Sequence, residues 1–99
     1  MEKITSRNVL DELKKHHQQL QKYQVKKIGL FGSVARGEAT ANSDLDFLVV
    51  FKKVTFDNYM DLKFFLEKLF KKKVDLVTEK SLKPALNYVR EEVIYAKIA

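Results

Sequence analysis

The chain has 99 residues, of which 45% are hydrophobic and 32% charged, with a formal net charge of +6; this suits one domain, expected over residues 1–99, and argues against a disordered polypeptide. There is no cysteine, which removes disulfides, thiol catalysis and zinc–thiolate sites. No apolar run approaches the ~18 residues of a membrane span and the N-terminus has no apolar signal core, so a cytosolic protein is expected.

The positive excess comes from lysines spread along the chain, including the run Lys71–Lys73. We read them as a solvated surface, with that run closing a helix where the dipole favours cations. RNA binding or an acidic protein partner are the alternatives, but no helix-turn-helix, RNA-recognition aromatic string or zinc-finger spacing accompanies the charge.

In chain order, Ser6 is placed to cap a helix running to about Tyr23, with Val9, Leu10, Leu13 and Leu20 on one face. His16 and His17 lie near that face and read as packing or surface residues rather than ligands. A first strand is expected at about Lys26 to Phe31 and a second from Leu45 to Phe51. Thr55 should cap a helix to about Lys71 whose broad apolar stripe is Tyr59, Leu62, Phe65, Leu66, Leu69 and Phe70. Phe56, Met60 and Phe64 form a second ridge, which is either covered within the domain or a protein contact. A third strand is expected at Lys73 to Thr78. After it, Ser81 or Pro84 starts a helix bearing Leu82, Ala85, Leu86 and Val89. The tail Glu92 to Ala96 reads as a short edge strand. The expected fold class is α/β (α+β): one small mixed β-sheet with helices packed mainly on one face.

The chemistry concentrates in residues 28–51, IGLFGSVARGEATANSDLDFLVVF. Gly32 frees the backbone for a turn that a ligand can approach closely. Ser33 to Glu38 reads as a helical turn whose free N–H groups suit a phosphate, and Arg36 adds a forked donor for phosphate oxygens. Asn42 and Ser43 form a turn that positions Asp44. Strand alternation puts Asp44 and Asp46 on one side, about 7 Å apart, where they repel unless a cation lies between them. A divalent ion with oxygen ligands is the usual answer. Asp75, between Val74 and Leu76, faces away from those apolar neighbours. A phosphate cradle beside metal-binding carboxylates describes a Mg–nucleotide site.

Gly32-Ser33, ten intervening residues and Asp44-x-Asp46 resemble the signature of the polymerase-beta-like nucleotidyltransferase superfamily. The longer pattern, Gly32-Ser33-x-x-Arg36-Gly37 with Ser43-Asp44-x-Asp46, is similar to its minimal nucleotidyltransferase (MNT) branch, and Asp75 matches the superfamily's third carboxylate. The resemblance spans residues 28–78 and implies that fold. It also implies a catalytic and metal-binding set of Asp44, Asp46 and Asp75, with Gly32, Ser33, Arg36 and Ser43 binding the nucleotide. Two Mg2+ ions would then serve transfer of a nucleotidyl group from ATP as substrate, with Asp44 and Asp46 bridging both ions and Asp75 on the acceptor side. It implies further that the chain is the antitoxin partner of a HEPN-domain toxin, transferring AMP to a toxin tyrosine. A non-catalytic antitoxin that acts by contact, or an enzyme with an RNA acceptor, are the competing readings.

Overall fold

The computed structural model describes residues 4–40, 42–82 and 88–98. The chain begins with α1 (Ser6–Lys15) and α2 (His17–Lys22). Thr5, not Ser6, is the cap: its extended backbone lets Oγ1 accept the Asn8 N–H at 3.1 Å, so Ser6 becomes the first helical residue. The single helix expected to Tyr23 is broken at His16. There the Nδ1–H donates to the Glu12 carbonyl at 2.9 Å, and the backbone leaves helical geometry. Both histidines bond carbonyls of the preceding turn, and His16 also lies edge-on to Phe65. They pack locally, as expected of them.

Three strands follow: β1 (Val25–Phe31), β2 (Leu45–Phe51) and β3 (Val74–Thr78), with β4 (Ile94–Tyr95) completing a sheet of order β3-β2-β1-β4. β2 runs antiparallel to β1 and parallel to β3, and β4 is antiparallel to β1. The short α3 (Gly32–Ala35) leaves the end of β1 directly, α4 (Phe56–Phe70) joins β2 to β3, and α5 (Tyr88–Glu92) precedes β4. The edge strand expected at Glu92 to Ala96 is thus confined to two paired residues, and Glu92 belongs to the helix. Pro84, Ala85 and Leu86 lie outside the described residues; Val89 is buried as expected.

Alternation sorts the sheet into two faces. Leu45, Phe47, Val49 and Phe51 of β2 join Ile28, Leu30, Val74 and Leu76 in the main core, against Val9, Leu13 and Leu20 from α1 and α2 and Leu62, Leu66 and Phe70 from α4. On the opposite face Phe31 and Leu48 pack with Val89, and Val77, Val93 and Tyr95 extend that cluster. Gly29 sits beneath Val93 and Tyr95, where any Cβ would collide with both. Helices therefore lie mainly on one face, as predicted, while the second is roofed in part by α5.

α4 keeps its predicted ends. Thr55 Oγ1 accepts the Asn58 N–H at 3.0 Å, and Lys71 closes the helix in left-handed geometry. Two of its side chains hold β3: Tyr59 OH donates to the Leu76 carbonyl at 2.6 Å, and Glu67 accepts the Val74 N–H at 3.1 Å. Of the second ridge, Phe56 and Phe64 stay outward, 78% and 59% exposed, while Met60 is half-buried. No described helix is long and apolar enough to cross a membrane.

This separation of stripe from ridge has a measurable outcome. Phe64→Glu is expected to change unfolding free energy by no more than about 0.5 kcal/mol, whereas Leu66→Ala costs about 2–5 kcal/mol through its buried cavity. Denaturant melts of both variants check this; a loss of the Leu66→Ala size in Phe64→Glu would assign the ridge to the core.

Candidate active site

The strand senses bring three chain segments to one end of the sheet. β1 ends where the antiparallel β2 begins, and β3, parallel to β2, begins beside it. In register, Phe31 lies opposite Asp46 and Asp46 opposite Asp75, so the three form one row across the sheet. Asp46 and Asp75 are the second residues of their strands. Each is flanked by two main-core residues, so both project to the opposite face.

Gly32 follows Phe31 immediately. It is buried with φ +80°, and a Cβ there would run into the Asp46 carboxylate. Only glycine meets both conditions. The turn after it is shorter than predicted: α3 covers Gly32–Ala35, Arg36 caps it, and the Glu38 N–H returns to the Ser33 carbonyl at 2.9 Å. A cavity of about 350 Å³ opens here. Gly32, Ser33, Arg36, Asp46 and Asp75 form its polar side; Phe31, Val77, Val89 and Tyr88 supply the rest. A volume of that order accommodates a small-molecule substrate.

Five of the seven residues singled out in the sequence therefore meet at one cavity. Asp44 and Ser43 do not line it. Asp44 is exposed just ahead of β2, close enough for its charge to act on Asp46. Ser43 Oγ accepts the Thr40 N–H at 2.8 Å, and the Ser43 carbonyl accepts Lys72 Nζ at 3.3 Å. Its hydroxyl is engaged in shaping the turn before Asp44.

Electrostatics single out Asp46. Burial, then the charges of Asp75 and Asp44, push its carboxyl up to about 6 from 3.8, with Glu92 adding in the same sense and Arg36 opposing. Negative charge is thus concentrated at this strand edge beyond what the fold neutralises. The oxygen-only donor set of Asp46, Asp75 and Asp44 fits a hard divalent cation. Among the described residues, however, no three acidic or histidine side chains already converge at metal-ligand spacing.

One residue at the site went unread in the sequence. Glu92 accepts the Gly32 N–H at 2.9 Å and both its oxygens lie 3.2 Å from Arg36 Nη1. Arg36 Nε also meets Glu38 at 2.7 Å; the hydrogen bonds to Glu38 and Glu92 raise its already high pKa. Nothing local in Arg90-Glu91-Glu92 distinguishes this carboxylate from its neighbour, because its partners lie about sixty residues away.

A fold that gathers a glycine turn and two strand carboxylates at one edge defines the nucleotidyltransferase class. A family model described as "Nucleotidyltransferase domain" matches residues 7–99, and the chain belongs to that family. It is 42% identical to a Methanocaldococcus jannaschii protein provisionally named a protein adenylyltransferase, over 92% of this chain and 97% of the relative. Identity to the protein adenylyltransferase MntA of Thermococcus cleftensis is 37%, over 96% of this chain and 99% of that one. The fold matches a solved structure provisionally described as a minimal nucleotidyltransferase, with TM-score 0.70 and 37% identity over 86% and 93% of the two chains. It also matches a chain of the solved complex of a tri-AMPylated Shewanella oneidensis HEPN toxin with an MNT antitoxin. There the TM-score is 0.62 and identity 18%, over 92% of this chain and 71% of that one, a likeness of fold. The minimal-branch resemblance drawn from the Gly-Ser and Asp-x-Asp motifs therefore holds, and the chain is an enzyme of the nucleotidyltransferase class.

The strained carboxylate gives a stability prediction. Because the folded pKa of Asp46 lies above its unfolded value, the folded state keeps a proton that the unfolded state has lost between pH 3.8 and about 6. Stability in chelator should therefore fall as pH rises through that window and stay lower above it. Asp46→Asn should remove the penalty and melt higher than the parent at pH 7, by about 1 kcal/mol after allowance for partial exposure. Thermal melts of the two proteins in chelator check the sign. A lower-melting mutant would mean that the carboxylate supports the fold.

Proposed function

We propose that this chain is a Mg-dependent protein adenylyltransferase that moves AMP from ATP to a tyrosine hydroxyl of a HEPN-domain toxin, and so acts as that toxin's antitoxin. The observation that carries the proposal is the row Phe31–Asp46–Asp75, with Gly32 and Arg36 beside it on one cavity wall. The acceptor class is supported by the names of the relatives at 37–42% identity, whose lengths this chain covers almost completely. The partner class is supported by the MNT–HEPN complex of the same fold.

In this reading the Gly32 N–H, Ser33 and Arg36 grip the triphosphate and fix the α-phosphorus over the carboxylate edge. Asp46 and Asp75, with Asp44 at the rim, would hold the magnesium ions. Bound there, divalent cations would neutralise phosphate charge and acidify the acceptor hydroxyl. Asp75, exposed and on the outer strand, faces the incoming acceptor and takes its proton. A bond forms between the tyrosine oxygen and the α-phosphorus as the bond to pyrophosphate breaks, in line. The open end of the cavity suits an acceptor presented by another protein.

Incubation of the protein with α-labelled ATP, Mg2+ and either a HEPN toxin or RNA tests this. Label is expected on toxin tyrosine; label on RNA, or toxin silenced without labelling, would overturn the assignment. Asp44→Asn, Asp46→Asn and Asp75→Asn should each abolish transfer while the protein remains folded. Arg36→Ala should slow transfer about 10²–10³-fold, as for loss of one preorganised donor. Wild-type rates in any of the three carboxamide variants would remove the carboxylate mechanism.

A further inference from the structure

Glu92 ends α5, yet its carboxylate bonds Gly32 and Arg36 of the cavity's polar side, and its side chain is only 22% exposed. Oε1 accepts the Gly32 N–H at 2.9 Å and Arg36 Nη1 at 3.2 Å, while Oε2 accepts the same Nη1 at 3.2 Å. Gly32 is buried at the first turn of α3, where the fold offers its N–H no helical carbonyl. A buried amide of that kind needs a partner, and Glu92 supplies one.

These are the donors that the proposed function assigns to the triphosphate. A backbone amide has one hydrogen to give, so the Gly32 N–H cannot serve Glu92 and a phosphate oxygen at once. A carboxylate and a polyphosphate also repel, and the wall they would share already carries the carboxylates of Asp46 and Asp75. Charge, geometry and the single amide hydrogen all make the two anions mutually exclusive.

We propose that Glu92 is an internal stand-in for a nucleotide phosphate, occupying the Gly32–Arg36 cradle and setting affinity for the triphosphate by competing with it. The proposal rests on the reading of that cradle as the triphosphate's seat. The exchange needs no rearrangement of the sheet. Three side-chain torsions carry the Glu92 carboxylate, and rotation toward its exposed side returns it to water while the incoming phosphate takes over both donors. Apparent affinity is then the intrinsic affinity multiplied by the fraction of time that the cradle stands open. Without nucleotide, the same carboxylate keeps the Gly32 amide bonded and Arg36 aimed into the site.

The opposite role would be a positioning one, with Glu92 remaining on Arg36 beside bound nucleotide and strengthening its grip. Calorimetric titration with inorganic tripolyphosphate separates the two, because this probe reads the cradle without requiring transfer. Glu92→Gln keeps the side chain's size and loses its charge. It is expected to bind tripolyphosphate about five- to tenfold more tightly than the parent, as for opening a mostly occupied seat. The KM for ATP in the transfer assay should fall by a similar factor. Unchanged or weaker tripolyphosphate binding, or no binding by either protein, would overturn the proposal and leave Glu92 as a support for Arg36. If Glu92→Gln melts below the assay temperature, Glu92→Asp replaces it. One methylene shorter, it keeps the charge but cannot reach both donors, and the same tightening is expected. Absent transfer with tighter tripolyphosphate binding by the variant would strike the proposed acceptor chemistry and sustain the role of Glu92.

Discussion

The contact on which the candidate active-site edge depends is the one between Gly32 and the carboxylate of Asp46. The chain turns out of β1 with a positive φ, and the space a side chain would fill is taken by a charged group from the neighbouring strand. Any other residue there would both strain the turn and displace Asp46. Since α3 begins at Gly32, the direction of Arg36 and the placing of Ser33 follow from the same point. A single missing Cβ thus fixes how closely the Ser33–Arg36 turn stands to the carboxylates of the strand edge.

Topology does the rest. An antiparallel hairpin pairing brings the end of β1 to the start of β2, and a parallel crossover through α4 brings the start of β3 alongside. The residues concerned are far apart in sequence but adjacent in register. The main core, on the face away from the carboxylates, anchors all three strands through their alternate residues. That burial holds Asp46 and Asp75 side by side against their mutual repulsion. The raised pKa of Asp46 reflects first its burial and then the charges of Asp75 and Asp44 beside it.

Much of this was legible beforehand, for physical reasons. β2 was placed residue for residue because its apolar alternation is bounded by polar turn residues on both sides. Thr55 and Lys71 were recognisable as the ends of α4 by cap chemistry and by the exhaustion of its apolar stripe. Asp75 stood out as a carboxylate inside an otherwise apolar strand. What escaped were choices decided by short-range competition or by distant partners. Thr5 and Ser6 are adjacent hydroxyl residues of similar capping power, so composition could not decide between them. The break at His16 comes from a side chain bonding the carbonyl four residues back, which no apolar periodicity reveals. Ser43 matched the motif but is occupied by its own turn. Glu92 was assigned to a strand because the β-branched tail after it outweighed the helical turn before it, and its real partners are Gly32 and Arg36.

One detail of the outer strand bears on how this protein can meet others. Lys73 offers its carbonyl to Leu45, so the odd-numbered residues of β3 bond inward, and Val74 and Leu76 turn their backbone groups toward the open side. Those are the groups engaged from α4: the Val74 amide by Glu67 and the Leu76 carbonyl by Tyr59. The free margin of the sheet is therefore already stoppered by side chains at two points. An extended peptide cannot zip onto it without first evicting a carboxylate and a phenol, which guards against edge-to-edge aggregation. Partner recognition by adding a strand at the β3 margin is correspondingly closed.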